Sequence, residues 1–415
     1  MSIVRPFKAV RPDPKFADKV AALPYDVMNS DEAREMAKDN PLSFLYVDKA
    51  EIGLAPGIDL YAPEVYEKAA SQLSRMIEDK IFIQDEKPCL YVYRLTMNGR
   101  RQTGIIACAS IDEYLDGKIK KHELTRADKE ADRIRHVDVT NANTGPIFLA
   151  YRANAEIGAI IEKWIAEHKA VYDFVADDGV GHEVWVIDCD DAISKIQSAF
   201  ATVPALYIAD GHHRNASAVK VGLMRREANP GYDKEAEFNF YLAGIFPDDQ
   251  LYIMDYNRVV KDLNGLADDE FLDRIKEKFV VEPSNDGSPK KNHTFGMYLN
   301  KKWYMLTAKP ELIIDDPIES LDVSILQKQI LFPLLGIDDP RTNKRIDFVG
   351  GIRGLKELER RVDSGEMKVA LALFPTSMSE LFSVADAGKI MPPKSTWFEP
   401  KLRSGLFIHL LGKNE

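Results

Sequence analysis

Residues 204–214 read Pro204-Ala205-Leu206-Tyr207-Ile208-Ala209-Asp210-Gly211-His212-His213-Arg214, and this stretch decides the reading of the fold. The apolar run from Ala205 to Ala209 predicts a buried strand. Asp210-Gly211 is a turn signal that ends it. The small-residue pattern Asn215-Ala216-Ser217-Ala218-Val219 predicts a helix directly afterwards. Two imidazoles and a guanidinium are therefore expected where a strand ends and a helix begins. Free backbone N–H groups and the helix dipole already favour an anion at such a place. Arg214 adds a planar fork suited to phosphate, and a glycine at the turn lets a ligand approach the backbone closely. Surface decoration is the plain reading of any single His or Arg after a strand. Three basic donors in a row after Asp-Gly, in a chain of 415 residues with 8 His, favour a site.

A second group of chemically able residues lies upstream. Lys121, His122, Glu123, Lys129, Glu130, Asp132, Arg133, His136, Asn141 and Asn143 fall within residues 119–148. Residues 126–137 predict a helix on which Lys129, Arg133 and His136 stand at i, i+4 and i+7. Asp132 and His136, also four apart, are spaced for a carboxylate to set the imidazole tautomer. A solvated, salt-bridged helix explains the charge count alone. Polar side chains at both ends of one helix are what a ligand cleft requires. A third stretch, Met391-Pro392-Pro393-Lys394-Ser395-Thr396-Trp397-Phe398 with Lys401 close behind, predicts a rigid turn. Its Lys394, Ser395 and Thr396 are able to grip a phosphate, and an ordinary rigid connection explains them equally well. Gly350-Gly351-Ile352-Arg353-Gly354 lacks the Lys-Ser/Thr of a P-loop.

These residues carry a resemblance. Asp210-Gly211-His212-His213-Arg214, between a strand and a helix, resembles the phosphate-binding box of the ParB/sulfiredoxin-like superfamily, and free-serine kinases most of all. The opening stretch Ile3 to Pro12 is similar to how such domains begin. Over its full length the chain resembles domain-of-unknown-function family 1015. Three motifs carry that likeness: Lys121-His122-Glu123 through Phe148, the box, and Met391 through Phe398. The resemblance implies an α+β fold, with a mixed sheet core of ParB/sulfiredoxin-like type, helical insertions and an α/β C-terminal part. Residues 1–284 are expected to hold the core and residues 285–415 a C-terminal domain. Ser284 to Asn292, with Asn285-Asp286-Gly287-Ser288-Pro289, is the best linker. Sulfiredoxin has a Cys where His212 stands here, so sulfinic-acid reduction is not implied.

Local patterns supply the remaining elements. A strand is expected over residues 1–12, a helix from Ser30 to before Pro41, a strand from Leu42 to Val47 and a helix over 62–79. Asn98-Gly99 between two apolar runs predicts a hairpin. Further helices are expected at 154–170, Ala192–Phe200, 268–279 and Val323–Leu335. Further strands are expected at Val184–Ile187, 238–246 and 251–256, with a hairpin about Asn300 to Lys302.

Composition narrows the function. A hydrophobic content of 45% and a charged content of 29% describe an ordinary globular chain. The net charge of −11 disfavours nucleic acid or an acidic membrane as partner. The three cysteines, Cys89, Cys108 and Cys189, have neither metal-ligand spacing nor an even count. A reducing cytoplasm is expected, since no apolar leader and no spanning run is visible. No metal site is expected among the histidines, because His212 and His213 are adjacent and no His-x-x-x-His occurs.

Two functions stay in view. The first is an enzyme moving a phosphoryl group between a nucleotide and a small hydroxyl compound. Gly211, His212, His213, Arg214, Lys121, Arg133 and Asn143 would bind phosphate or nucleotide. Glu123, His122, His136 and Asp210 would serve catalysis, with Glu123 the first choice of base or magnesium ligand and Asp210 the second. The resemblance implies ATP or ADP as cofactor, with CTP and a companion magnesium ion left open, and free serine or phosphoserine as the first substrate to test. The second function is a nucleotide-binding regulatory module without chemistry. The density of acid and base groups outside the box favours the enzyme.

Overall fold

The computed structural model describes residues 2–412, and its architecture is α+β. The chain forms two compact units. The first takes in the chain up to Lys120, Thr125–Leu251 and the C-terminal stretch from Pro400. The second takes in Lys121–Leu124 and Tyr252–Glu399. The boundary expected at 284/285 falls inside the second unit. Residues 284–292 connect two strands of one sheet there, so their turn chemistry marks a loop and not a domain junction.

The first unit is built on a mixed eight-stranded sheet. Its strands are β1 (Leu90–Met97), β2 (Arg100–Ser110), β3 (Ile119–Lys120), β4 (Ile147–Tyr151), β5 (Tyr172–Val175), β6 (Gly181–Ile187), β7 (Leu206–Asp210) and β8 (Phe240–Pro247). Their order across the sheet is β3-β7-β4-β8-β2-β1-β6-β5. β7 runs parallel to β3 and antiparallel to β4, while β8 is parallel to β4 and antiparallel to β2. The β1–β2 hairpin turns at Asn98 and Gly99, whose φ angles of 52° and 77° are the left-handed pair such a two-residue turn needs. Five helices matter for the site: α1 (Pro63–Glu78), α2 (Ala127–Thr140), α3 (Ala155–Glu167), α4 (Asp190–Phe200) and α5 (His212–Ala228). The main core lies on the sheet face that carries Val92, Ile105, Leu149, Ile208 and Ile245. Ile157 and Ile161 of α3, Ile196 and Phe200 of α4, and Ala218 and Val219 of α5 close it. The C-terminal stretch is stitched in by backbone bonds between Ala22 and Ser404 and between Val10 and Ile408, and by pairing of His409 with Asn143.

In the second unit a six-stranded sheet comprises β9 (Tyr256–Val260), β10 (Phe279–Ser284), β11 (Thr294–Leu299), β12 (Lys302–Ala308), β13 (Ile346–Gly350) and β14 (Val369–Leu373). The order is β10-β12-β11-β14-β9-β13 and every pair is antiparallel. Helix α6 (Asp268–Lys278) and helix α7 (Gly354–Asp363) belong to this unit, and Leu358 of α7 packs with Val259 and Val349.

Several local expectations are corrected. Leu42–Val47 is not a strand: residues Leu45–Asp48 form a helical turn. Asn40 Oδ1 accepts the Leu42 N–H at 3.2 Å and Ser43 Oγ the Leu45 N–H at 3.3 Å, local side-chain bonds that outcompete a ladder. The N-terminal stretch is strand only at Val10–Pro12, with single bridges at Arg5 and Phe7 before it. Residues 251–256 break into Ile253–Met254 and the start of β9, which pair with different partners. The helix expected over Val323–Leu335 is α-helical only at Asp322–Leu326 and widens to a π-turn at Gln327–Leu331. Among the described residues no helix is long and apolar enough to cross a membrane.

Candidate functional site

The box departs from expectation in one respect. α5 begins at His212, so His212, His213 and Arg214 form its first turn and do not precede it. Gly211 is the N-cap, at φ 87°, a left-handed angle that a side chain would strain. The first turn holds no acidic residue, the reverse of what the helix dipole favours. Asp210 offsets this from just outside the helix. Its Oδ1 accepts the Gly211 N–H at 2.9 Å and its Oδ2 accepts Lys401 Nζ at 2.8 Å. Burial alone would raise this carboxyl, but Lys401 and Arg214 hold it well below the usual carboxylate range.

The three basic side chains have separate fates. His212 is buried. His213 Nε2 accepts the backbone N–H of Arg126 at 3.0 Å, so that nitrogen carries no proton and the ring is neutral. Since Arg126 is the N-cap of α2, this bond ties the start of one helix to the first turn of the other. Arg214 Nη1 donates to the Pro146 carbonyl at 2.8 Å, and its buried Nε has no hydrogen-bond partner among the described residues. The Nε–Nη2 edge faces Gly211, where a Cβ would stand 3.1 Å from Nε and 3.2 Å from Nη2.

The second group meets the box through α2. Its inward face is Asp132, Arg133, His136, Val137 and Thr140, whereas Lys129 is half-buried with its Nζ 3.4 Å from the Tyr61 hydroxyl. Arg133 Nε donates to Asp132 Oδ2 at 2.9 Å, and Tyr66 of α1 donates to Asp132 Oδ1 at 2.8 Å. The Arg133 guanidinium lies 4.1 Å from the centre of the Tyr25 ring. Asp132 is thus engaged by Arg133 and Tyr66, and does not orient His136 as its spacing suggested. His136 Nε2 donates to the Val47 carbonyl at 3.1 Å, and burial together with Arg133 lowers its affinity for a second proton. Asn141 is the left-handed C-cap of α2, and its Nδ2 donates to the Gly412 carbonyl at 2.6 Å. Asn143 Oδ1 accepts the Leu242 N–H at 3.2 Å.

Arg133, His136, Asn143 and Arg214 line one cavity of about 30 Å³, with Tyr25, Asp48, Val137, Thr144, Gly145 and Ile147 completing its wall. On the usual requirement this volume has room for roughly two waters or one edge of an oxyanion. Asp48 Oδ1 accepts the Thr144 hydroxyl at 2.8 Å. Tyr25, Asp48, Thr144 and Lys401 were not singled out by sequence. Thr144 falls within the donor-rich segment 119–148 and Lys401 closes the third motif, whereas no sequence signal pointed to Tyr25 or Asp48.

Lys121, His122 and Glu123 belong to the second unit, where the Met391 N–H donates to the His122 carbonyl at 2.8 Å. His122 is buried, Glu123 half-buried and Lys121 exposed. In the third motif the Ser395 hydroxyl donates to the Pro392 carbonyl at 2.6 Å, which fixes the turn.

No curated protein matches the chain. Among solved structures, a free serine kinase in complex with AMP is similar at 14% identity and TM-score 0.37, covering 73% of this chain and 91% of that one. A conserved hypothetical protein from Pyrococcus furiosus is similar at 16% identity and TM-score 0.36, covering 74% and 95%. SbnI with C-terminal truncation from Staphylococcus aureus is similar at 11% identity and TM-score 0.34, covering 75% and 90%. The family described as protein of unknown function DUF1015 matches residues 4–324, and the chain belongs to that family.

Proposed function

We propose that the protein binds a nucleotide phosphate at Gly211–Arg214 and moves a phosphoryl group between that nucleotide and a small hydroxyl compound. One observation carries the binding half of this reading: the Arg214 Nε–Nη2 edge lies at the N-terminus of α5, with its buried Nε unpartnered among the described residues. Such an edge receives two oxygens of one phosphate, and the free amides of the helix add to it. Arg133, in the same cavity, contributes a second charge. Phosphoryl transfer depends mostly on positioning and charge neutralisation, which these groups supply.

The structure supports a narrower set of catalytic roles than the sequence suggested. Asp210 is a poor base, since both oxygens are engaged and Lys401 and Arg214 favour its ionised form. His136 is a positioning residue whose proton is held by the Val47 carbonyl. His213, an acceptor for the Arg126 amide, positions α2. Glu123, flanked by Lys121 and His122, is the carboxylate to test as base or magnesium ligand. The likeness of the box to that of free-serine kinases, in the ParB/sulfiredoxin-like superfamily, makes ATP or ADP and serine or phosphoserine the first compounds to try. The net charge of −11 argues against nucleic acid as partner.

Calorimetry with ADP and transfer assays with ATP or ADP and serine test this reading. Arg214→Ala is expected to weaken nucleotide binding without unfolding the chain. Glu123→Gln is expected to keep binding and lower turnover by about 100-fold or more. The engagement of Asp210 and His213 in structural bonds favours one rival, a regulatory module that binds nucleotide without chemistry. Binding with no transfer to or from any small hydroxyl compound would establish that rival.

A further inference from the structure

Asn143 lines the cavity that holds Arg133 and Arg214, and the C-terminal stretch lays His409 beside it as its partner across two short antiparallel strands. A backbone N–H can only donate, so the bond from the Leu242 N–H identifies the Asn143 amide oxygen. That same Oδ1 lies 3.3 Å from His409 Nδ1. An amide oxygen only accepts, so Nδ1 carries a proton. On the other side of the ring, His409 Nε2 lies 2.7 Å from Glu237 Oε2. Arg5 donates to both oxygens of this carboxylate, Nη1 to Oε2 at 2.8 Å and Nη2 to Oε1 at 3.2 Å. His409 and Arg5 together hold Glu237 ionised against its burial, so it too accepts and Nε2 is protonated as well. His409 is therefore an imidazolium, buried to 2% exposure and matched by one carboxylate.

The proton on His409 decides which end of the Asn143 amide the cavity receives. Both of these bonds fall on Oδ1, which leaves Nδ2 as the end of the amide that Asn143 can offer to the cavity it lines. An oxyanion beside Arg133 and Arg214 then meets an N–H donor. A neutral His409 that kept Nε2–H for Glu237 would turn a lone pair on Nδ1 against the lone pairs of Oδ1. Turning the amide over relieves that repulsion, since Nδ2 then donates to the ring. The turned amide gives up the Leu242 bond and faces the anion with an oxygen, which repels it. The other charged or titratable groups on this side are Arg5, Glu235 at 3.6 Å from Arg5, and Cys108, whose thiol is pushed up by burial. Phe7 packs edge-on against the imidazole at 5.6 Å. Among these groups the imidazole is the kind that changes charge near neutral pH.

We propose that His409 is a positioning residue for anion binding in the Arg133–Arg214 cavity: held as an imidazolium by Glu237, it fixes the Asn143 amide with Nδ2 toward the anion, so that binding is coupled to one proton on His409. The coupling rests on the reading that this cavity takes the nucleotide phosphate. It adds a residue from the far end of the chain that touches neither the nucleotide nor the cavity wall and acts through Asn143 alone.

The test uses the full chain and two measurements that need no variant. Nitrogen-15 NMR at about pH 6 should show both His409 nitrogens protonated. Sulfate, whose charge is constant from about pH 6 to about pH 9, is titrated by calorimetry at both ends of that range, and its dissociation constant should rise at least about 10-fold with pH. Asn143→Ala and His409→Gln should each lose most of that rise. ADP titrated alongside tests the parent reading separately. A neutral His409 at about pH 6, a flat sulfate profile in the wild type, or a profile equally steep in Asn143→Ala would overturn the coupling. ADP binding in the face of any of these results would leave the phosphate reading standing. Binding of neither ADP nor sulfate by a chain whose His409 is doubly protonated would overturn both the reading and the coupling.

Discussion

The guanidinium of Arg214 curls back toward Gly211, so that a Cβ on residue 211 would stand 3.1 Å from Nε and 3.2 Å from Nη2. The missing side chain therefore does two things. It permits φ 87° at the N-cap, and it leaves room for the Arg214 edge to lie against residue 211. Gly211→Ala is expected to cost about 1–2 kcal/mol of stability from the left-handed backbone and to raise the ADP dissociation constant at least about 10-fold. Thermal unfolding and calorimetry on the same variant separate the effects. Lower stability with unchanged ADP affinity would show that the edge does not hold the phosphate.

Lys401 and Asp210 form a pair bridging the C-terminal stretch and the end of β7, at 2.8 Å. Lys401 is almost wholly buried, while the Asp210 side chain keeps 28% of its exposure. Removing one member of a buried pair costs about 3–5 kcal/mol, and partial exposure puts this pair toward or below the low end. Lys401→Met should therefore destabilise more than the double variant with Asp210→Asn, which leaves no orphaned charge. A denaturant-based double-mutant cycle measures the difference. A double-variant loss equal to the sum of the two single losses would mean that the pair contributes nothing.

Glu237 sets an acid limit on the first unit. Burial opposes its ionisation, yet His409 at 2.7 Å and Arg5 at 2.8 Å outweigh it and bring the carboxyl down from 4.5 to about 2. The folded state thus holds this proton more weakly than the unfolded chain. The contribution is fully present above about pH 4.5 and is lost as pH falls toward about 2. Glu237→Gln should flatten that part of the stability curve in urea titrations between these limits. A curve as steep as the wild type's would assign the acid loss to other carboxylates.

His182 is expected to stay neutral across the physiological range. Burial and the neighbouring Arg403 guanidinium lower it from 6.5 to about 3. Arg403 Nε donates to His182 Nε2 at 3.2 Å, so the ring proton sits on Nδ1, 2.8 Å from the Tyr93 oxygen. Below pH 6.5 the unfolded chain takes up a proton that the folded ring refuses, so this histidine destabilises the fold as pH drops from 6.5 toward 3. Nitrogen-15 NMR should report an Nδ1–H tautomer that does not titrate between pH 5 and 8. An imidazolium signal near pH 6 would contradict the assignment.

Much of the scaffold was legible because its signals are local. Alternation from apolar run to Asp-Gly to small-residue helix located β7 and α5, and Asn98-Gly99 located the β1–β2 hairpin. The segment Leu42–Val47 misled because its apolar side chains are buried whether the backbone is strand or turn. Asn40 and Ser43 decided the matter through bonds that no periodicity reports. The pairing of Asp132 with His136 was read from spacing alone. It failed because Arg133 and Tyr66 are stronger claimants for the same carboxylate.

The sequence by itself determined the order of elements, the position of the glycine that caps α5, and the presence of two donor-rich segments. These follow from φ preferences and side-chain periodicity, which act over a few residues. Only the tertiary structure decided that Arg133 and Arg214 line one cavity and that Tyr25, Asp48 and Thr144 wall it. It alone decided too that Asp210 is matched by Lys401, from the far end of the chain. The charge state and free donors of a buried group depend on burial and on whichever distant segment comes within a few ångströms. Neither quantity is written in the neighbouring residues.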